Sequence, residues 1–192
     1  VEATLFSVHR HFFERHSEYF RNLLSTYRYS EGNHIFLPRV KTDDFERLLS
    51  IFYPTELCKP EITTLKGWTS ILTLAQKWGM AQVRALALQN IGDHASPMEM
   101  IVIAHRHYLH HPGPAWLLTA YKAICTRPTP LSLQEAEKLD MRRVIGIWEV
   151  QNEVLRMGSV RSVRDDKRIE ELIKDTFGAF ESEEPEAPIW ST

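Results

Sequence analysis

The chain has 192 residues, 43% of them hydrophobic and 25% charged, with a formal charge of −2 and a pI near 6.5. This is ordinary globular composition, with length for one large domain or two small ones and a sizeable core. It excludes polyelectrolyte classes: there is no basic excess to neutralise a phosphate backbone and no apolar run of membrane-spanning length, so neither nucleic acid nor membrane is an expected partner. No signal peptide is visible, and the chain opens on Val1 rather than Met, as a fragment or a processed form does. Cys58 and Cys125 stand far apart without metal-ligand spacing. Two lone thiols point to a reducing compartment, cytoplasmic or nuclear, with one buried disulfide as the other reading.

In chain order, Leu5-Phe6-Ser7-Val8-His9-Arg10 reads as an apolar strand end running into a helix that bears Phe12 and Phe13. Ser17 is a good cap for a second helix, because its hydroxyl can accept an orphan backbone N–H. Phe20, Leu23, Leu24 and Tyr27 then recur at i, i+3, i+4, i+7. Gly32-Asn33 signals a turn, and His34-Ile35-Phe36-Leu37 is a β-prone segment stopped by Pro38, with residues 1–6 as its nearest pairing candidate. Asp43, with Glu46 three residues on, has capping-box spacing and opens a helix whose stripe is Phe45, Leu48, Leu49 and Phe52. Tyr53-Pro54 ends it. Beyond a loop through Pro60, the positions Trp68, Ile71, Leu72 and Ala75 predict a helix from Thr64 to Trp78, and Gly79 supplies the positive φ that ends it. Val83, Leu86, Ala87 and Ile91 mark the next helix. The predicted core of this half is Phe45, Leu48, Leu49, Ile71, Leu72, Ala75, Val83 and Leu86.

The second half reads as helical throughout. Ser96-Pro97-Met98-Glu99 combines a cap, a proline at the first helical position and a reciprocal Glu, and Ile101, Ala104 and Tyr108 carry the core side. His110-His111-Pro112-Gly113-Pro114 is a predicted loop. Trp116, Leu117, Ala120 and Ile124 mark a helix that stops before Pro128. Ser132 and Glu135 form another capping box over a short helix, and Asp140 caps a longer one whose core side is read as Met141, Val144, Ile145, Trp148 and Leu155. After Gly158-Ser159 comes a helix with a thin stripe of Ile169, Leu172 and Ile173, which needs the body to pack against. Residues 181–192 are acidic, proline-interrupted and expected to be disordered. The expected organisation is a first domain over 1–94, a helical extension over 95–156, a C-terminal helix over 157–180 and the tail.

Three sets of residues resemble the marks of the BTB/POZ domain. The pattern F-x-V-H-R…S-x-x-F falls on Phe6, Val8, His9, Arg10, Ser17 and Phe20. V-x-x-x-x-F-x-x-L-L-x-x-x-Y falls on Val40, Phe45, Leu48, Leu49 and Tyr53, and L-L-x-x-A-x-x-aromatic on Ile71-Leu72, Ala75 and Trp78. Tyr53-Pro54 and the run from Leu74 to Met80 further resemble the texture of BTB proteins abundant in fungi. The resemblance covers residues 1–94 and implies an α+β, mostly helical fold: short strands with a helical cluster, followed here by an all-α extension. The family normally begins with a strand and tight hairpin, yet four residues precede Leu5. The hairpin is therefore missing or the sheet is built differently, which puts strand-swapped dimerisation in doubt. The implied function is non-catalytic protein–protein interaction, as a homodimer through the first two helices with Phe12, Phe13 and Tyr19 as exposed partner-binding aromatics. Cullin-binding members carry a hydrophobic-x-Glu tripeptide after the second helix. Tyr29-Ser30-Glu31 occupies that place, so an adaptor on a cullin scaffold of a ubiquitin ligase is the alternative.

Candidate chemistry is sparse. The spacing His105-x-His107-x-x-His110-His111 raises a zinc site, and with it a zinc-dependent hydrolase as a rival of a different class. At helical pitch, however, His105 and His107 lie roughly 200° apart, which favours a solvated histidine cluster. No nucleophile elbow and no phosphate-cradling loop exist among eight glycines, so no catalytic residue and no cofactor are expected. His9 reads as a structural histidine bonded to backbone at its helix start. Four of the five tryptophans read as core, with Trp190 as a docking anchor. Arg142-Arg143 and Arg161…Arg164 read as solvated faces.

Overall fold

Ser17 ends one helix and starts the next. In the computed structural model, which describes residues 1–26, 34–54, 62–109, 115–158 and 163–181, α1 (Arg10–His16) closes as the Ser17 N–H donates to the Phe13 carbonyl at 3.0 Å. The Ser17 hydroxyl then accepts from the Phe20 N–H at 3.2 Å and so caps α2 (Glu18–Thr26), as its position in the sequence predicts. The chain divides into two compact units, Val1–His94 and Ala95–Thr192.

The first unit continues with α3 (Thr42–Phe52), α4 (Leu65–Lys77) and α5 (Ala81–His94). Thr64 caps α4 by accepting from the Gly67 N–H. The α4 end is a Schellman turn: Met80 N–H donates to Ala75 O at 2.8 Å and Gly79 N–H to Gln76 O at 3.3 Å, with Gly79 at φ 63°. The core gathers Phe13, Phe20, Phe45, Leu48, Trp68, Ile71, Leu72, Ala75, Trp78, Val83 and Ile91. Leu49 and Leu86, expected beside them, are half-buried at the margin.

Two expectations fail here. Among the described residues there is no strand: residues 5–8 and 34–37 run without regular structure, and the described part is helical rather than α+β. A strand holds only where its N–H and C=O groups meet a partner ladder, and single polar contacts tie down the N-terminal stretch instead. The second correction concerns the start of α3. Lys41, not Asp43, is its cap residue, without a side-chain bond. The Glu2 carboxylate accepts from the Thr42 N–H at 3.0 Å and from its hydroxyl at 2.7 Å, supplying the cap from forty residues away.

The second unit holds α6 (Pro97–Arg106), α7 (Ala115–Thr126), α8 (Leu133–Ala136), α9 (Met141–Arg156) and α10 (Val163–Glu181). Both serine capping boxes form, Ser96 with Glu99 and Ser132 with Glu135, and Asp140 caps α9 through the Arg143 N–H. Helices α7, α9 and α10 pack pairwise, and α6 packs on α7. Ile169, Ile173 and Phe177 are the buried stripe of α10, with the Phe177 ring stacked 4.0 Å from that of Tyr121. Residues 182–192, including Trp190, lie outside the described part. No helix of the described residues is long and apolar enough to cross a membrane.

The Ser17 hydroxyl also donates to the Trp78 carbonyl at 2.5 Å in a buried setting. Ser17→Ala removes that bond and the α2 cap together and strands a buried acceptor. We expect a loss of about 1–3 kcal/mol in denaturant unfolding with an unchanged far-ultraviolet circular dichroism spectrum.

Candidate functional site

The aromatic residues at the α1–α2 corner divide by face. Phe13 is only 3% exposed, with its ring 4.9 Å from Phe20, 5.5 Å from Phe52 and 6.0 Å from Phe45. It is a core residue and not the surface aromatic that the resemblance suggests. On a seven-residue helix that packs inward, the face bearing Phe13 is the one that reaches α3. Phe12 is half-buried, stacked on Phe52 at 5.7 Å and edge-on to Tyr53 at 5.1 Å. Tyr19 alone of the three turns its ring outward, at 45% exposure. Leu5, Val8, Phe36 and Tyr53 are further exposed apolar side chains of this unit. Tyr29 and Glu31 lie outside the described residues.

Polar contacts fix this corner. The His9 N–H donates to the Tyr53 hydroxyl at 2.8 Å, and His9 Nδ1 lies 3.0 Å from the same oxygen. The histidine is structural, as expected, but its ring meets a phenol and not backbone. Arg10 donates to Glu14 at 2.6 Å; that bond holds the Glu14 carboxyl below its ordinary range. Arg10 and Arg21 donate further to the Leu24 and Glu14 carbonyls. Lys77 reaches the Pro38 carbonyl at 2.7 Å, and burial lowers its affinity for a proton.

In the second unit the histidines separate. His105 Nε2 lies 3.5 Å from Asp140 Oδ2, while His107 is the C-cap of α6. His110 and His111 lie outside the described residues. Among the described residues no three His, Cys, Asp or Glu side chains are grouped to hold a metal ion. Arg143, expected on a solvated face, is 5% exposed: its guanidinium donates to Asp140 at 2.5 Å across the α9 cap. Burial works against the Asp140 charge, but bonds from the Arg143 N–H and guanidinium outweigh it and keep that carboxyl below its ordinary range. Burial pushes the Cys125 thiol up to about 12, so it remains protonated and unreactive at neutral pH.

Sequence reading also misassigned α9. Met141, Ile145, Trp148 and Leu155, read as its core side, are exposed, while Ile147, Val150 and Val154 are buried. The buried set has its own helical spacing, so the helix carries two apolar stripes and periodicity alone cannot say which faces inward.

Residues 1–94 match the family model of the BTB/POZ domain. No curated protein and no solved structure matches the chain.

The titratable groups divide acid destabilisation into two windows. Burial, with Arg106 adjacent, depresses His107 to about 4, so the unfolded chain protonates this residue from about pH 6.5 while the folded chain does not. The stability it contributes falls as pH drops from about 6.5 to 4, by at most about 3 kcal/mol. Glu135, held down to about 2 by Arg127 and the Ser132 N–H, loses its contribution only between about pH 4.5 and 2. His107→Gln should flatten the upper window of a pH series of unfolding curves and leave the lower one in place.

Proposed function

We propose that this chain, which carries a BTB/POZ domain over residues 1–94, is a non-catalytic assembly subunit that pairs with a second copy of itself through that domain. The family match carries the reading, since such a domain is generally a protein–protein interaction and oligomerisation module. Tyr19 supports the choice of surface: it offers a large, rigid, half-exposed ring on α2, the kind of side chain that anchors contacts. In a symmetric dimer the same patch is used twice, so one substitution acts on both sides. Phe12 borders this corner, and Phe13 serves it from beneath by holding α1 on α3.

Tyr19→Glu is the test, because an exposed position tolerates the charge without loss of fold. We expect the native chain to sediment as a dimer and the variant as a folded monomer at concentrations on the order of 100 μM. A native chain monomeric throughout that range would defeat the dimer reading.

A second reading, as an adaptor on a cullin-type ubiquitin ligase, draws support from the tripeptide Tyr29-Ser30-Glu31, which follows Thr26, the last residue of α2, by three positions in the sequence. It predicts that a cullin scaffold co-purifies with the native chain and that Glu31→Lys abolishes this, with dimerisation intact.

A further inference from the structure

The turn between Leu37 and Val40 places an arginine where glycine is the easier residue. Leu37 and Val40 are buried on either side of it, while Pro38 and Arg39 face solvent. Arg39 has φ 57°, a left-handed conformation that glycine adopts freely and that a residue with a Cβ resists. Strain of this kind gathers where a side chain is held in one place for a function.

Lys77, the last residue of α4, donates to the Pro38 carbonyl at 2.7 Å, which sets its ammonium beside the turn. Burial and the charge of Arg39 both lower the affinity of Lys77 for a proton, so two cations share this spot. Arg10, Arg47, Lys122 and Arg127 each meet a carboxylate. Among the described residues, Arg39 and Lys77 have no acidic partner. The nearby Glu2 is taken up by the start of α3, where it accepts from Thr42. The ammonium keeps further N–H donors after its bond to Pro38, and the Arg39 guanidinium offers the planar fork that matches a carboxylate. Phe36, on the same loop, is 69% exposed.

Two cations without acids beside an exposed ring complement an acidic segment that also carries an apolar side chain. A nucleic acid fits less well, because the chain is net negative and a phosphate backbone calls for an extended basic surface. We infer that Arg39, Lys77 and Phe36 form a docking site for an acidic peptide segment of a partner protein, with a carboxylate held between the two cations and an apolar side chain laid on Phe36. The site takes a different protein, and it does not depend on pairing between copies of this chain.

The test is fluorescence anisotropy in low-salt buffer, with the full chain and a labelled peptide Glu-Glu-Glu-Leu-Glu-Glu. We expect saturable binding with a Kd on the order of 100 μM, and none for the same peptide with Gln in place of every Glu. Arg39→Gly and Lys77→Gln should each weaken binding about tenfold, the effect of losing a charge-assisted bond. Arg39→Gly should also keep an unfolding midpoint at or above that of the native chain, since glycine relieves the positive φ. No saturable binding by the native chain, or binding unmoved by Arg39→Gly, would overturn the proposal. A lower midpoint for Arg39→Gly would do the same, by making the arginine a structural residue. So would tighter binding of an oligodeoxythymidine of equal charge, which would assign the cations to a nucleic acid.

Discussion

The hydroxyl of Ser17 joins the start of α2 to the end of α4, accepting from one backbone and donating to another sixty-one residues along the chain. Around that point the first unit stacks its rings: Phe20 lies 5.0 Å from Trp78, Phe45 lies 6.1 Å from Trp78, and Phe13 sits between Phe20 and Phe45. Each ring contact is worth about 0.5–1.5 kcal/mol beyond its burial. Their geometry depends on a sharp, fixed angle between α1 and α2, and a buried serine bonded on both sides fixes it. Gly79 completes the arrangement from the other end, turning the chain so that Met80 is buried and the Trp78 carbonyl remains aimed at Ser17.

What was legible in the sequence were features set by neighbours in the chain. Ser96 with Glu99, Ser132 with Glu135, Asp140 ahead of α9 and Gly79 after α4 all act within a few residues, where chemistry and spacing suffice. Most of the misreadings were decided at long range. Nothing near Asp43 announces that Glu2 will cap α3, and nothing in residues 34–37 says that no ladder partner meets them. Phe12 and Phe13 are adjacent and chemically identical, yet one lies in the core and the other at its edge, because only the fold decides which side of α1 meets α3. Of Phe12, Phe13 and Tyr19, the described members of the candidate set of aromatics, only Tyr19 is an exposed side chain.

In the second unit, polar groups aim a helix that apolar spacing leaves undecided. Arg143 is buried because Asp140, already committed as the α9 cap, supplies a carboxylate within reach. Gln151 donates to the Ile124 carbonyl at 3.0 Å and binds the middle of α9 to the end of α7. Arg127 closes the connection by a two-bond grip on Glu135 at 2.8 and 2.6 Å. Arg143 and Gln151 lie on or beside the face bearing Ile147, Val150 and Val154. With these bonds made, that stripe can face inward without leaving the Arg143 guanidinium or the Gln151 amide buried and unbonded.

The exposed stripe of α9 thus follows from the polar choices on its inner face. A helix with one apolar face needs only burial to orient it. A helix with two needs something directional, and Asp140, Arg143 and Gln151 provide that direction. Tyr108 shows the same priority of backbone over side chain at the end of α6. There Leu109 N–H donates to Ala104 O at 2.9 Å and Tyr108 N–H to His105 O at 3.3 Å, a Schellman pair that forces Tyr108 to φ 49° where glycine is the usual residue. The strain of about 1 kcal/mol is accepted because the turn buries Leu109 and satisfies two carbonyls at once. In both places hydrogen-bond satisfaction sets the path of the chain, and it leaves Tyr108 at the end of α6 and Trp148 on α9 exposed.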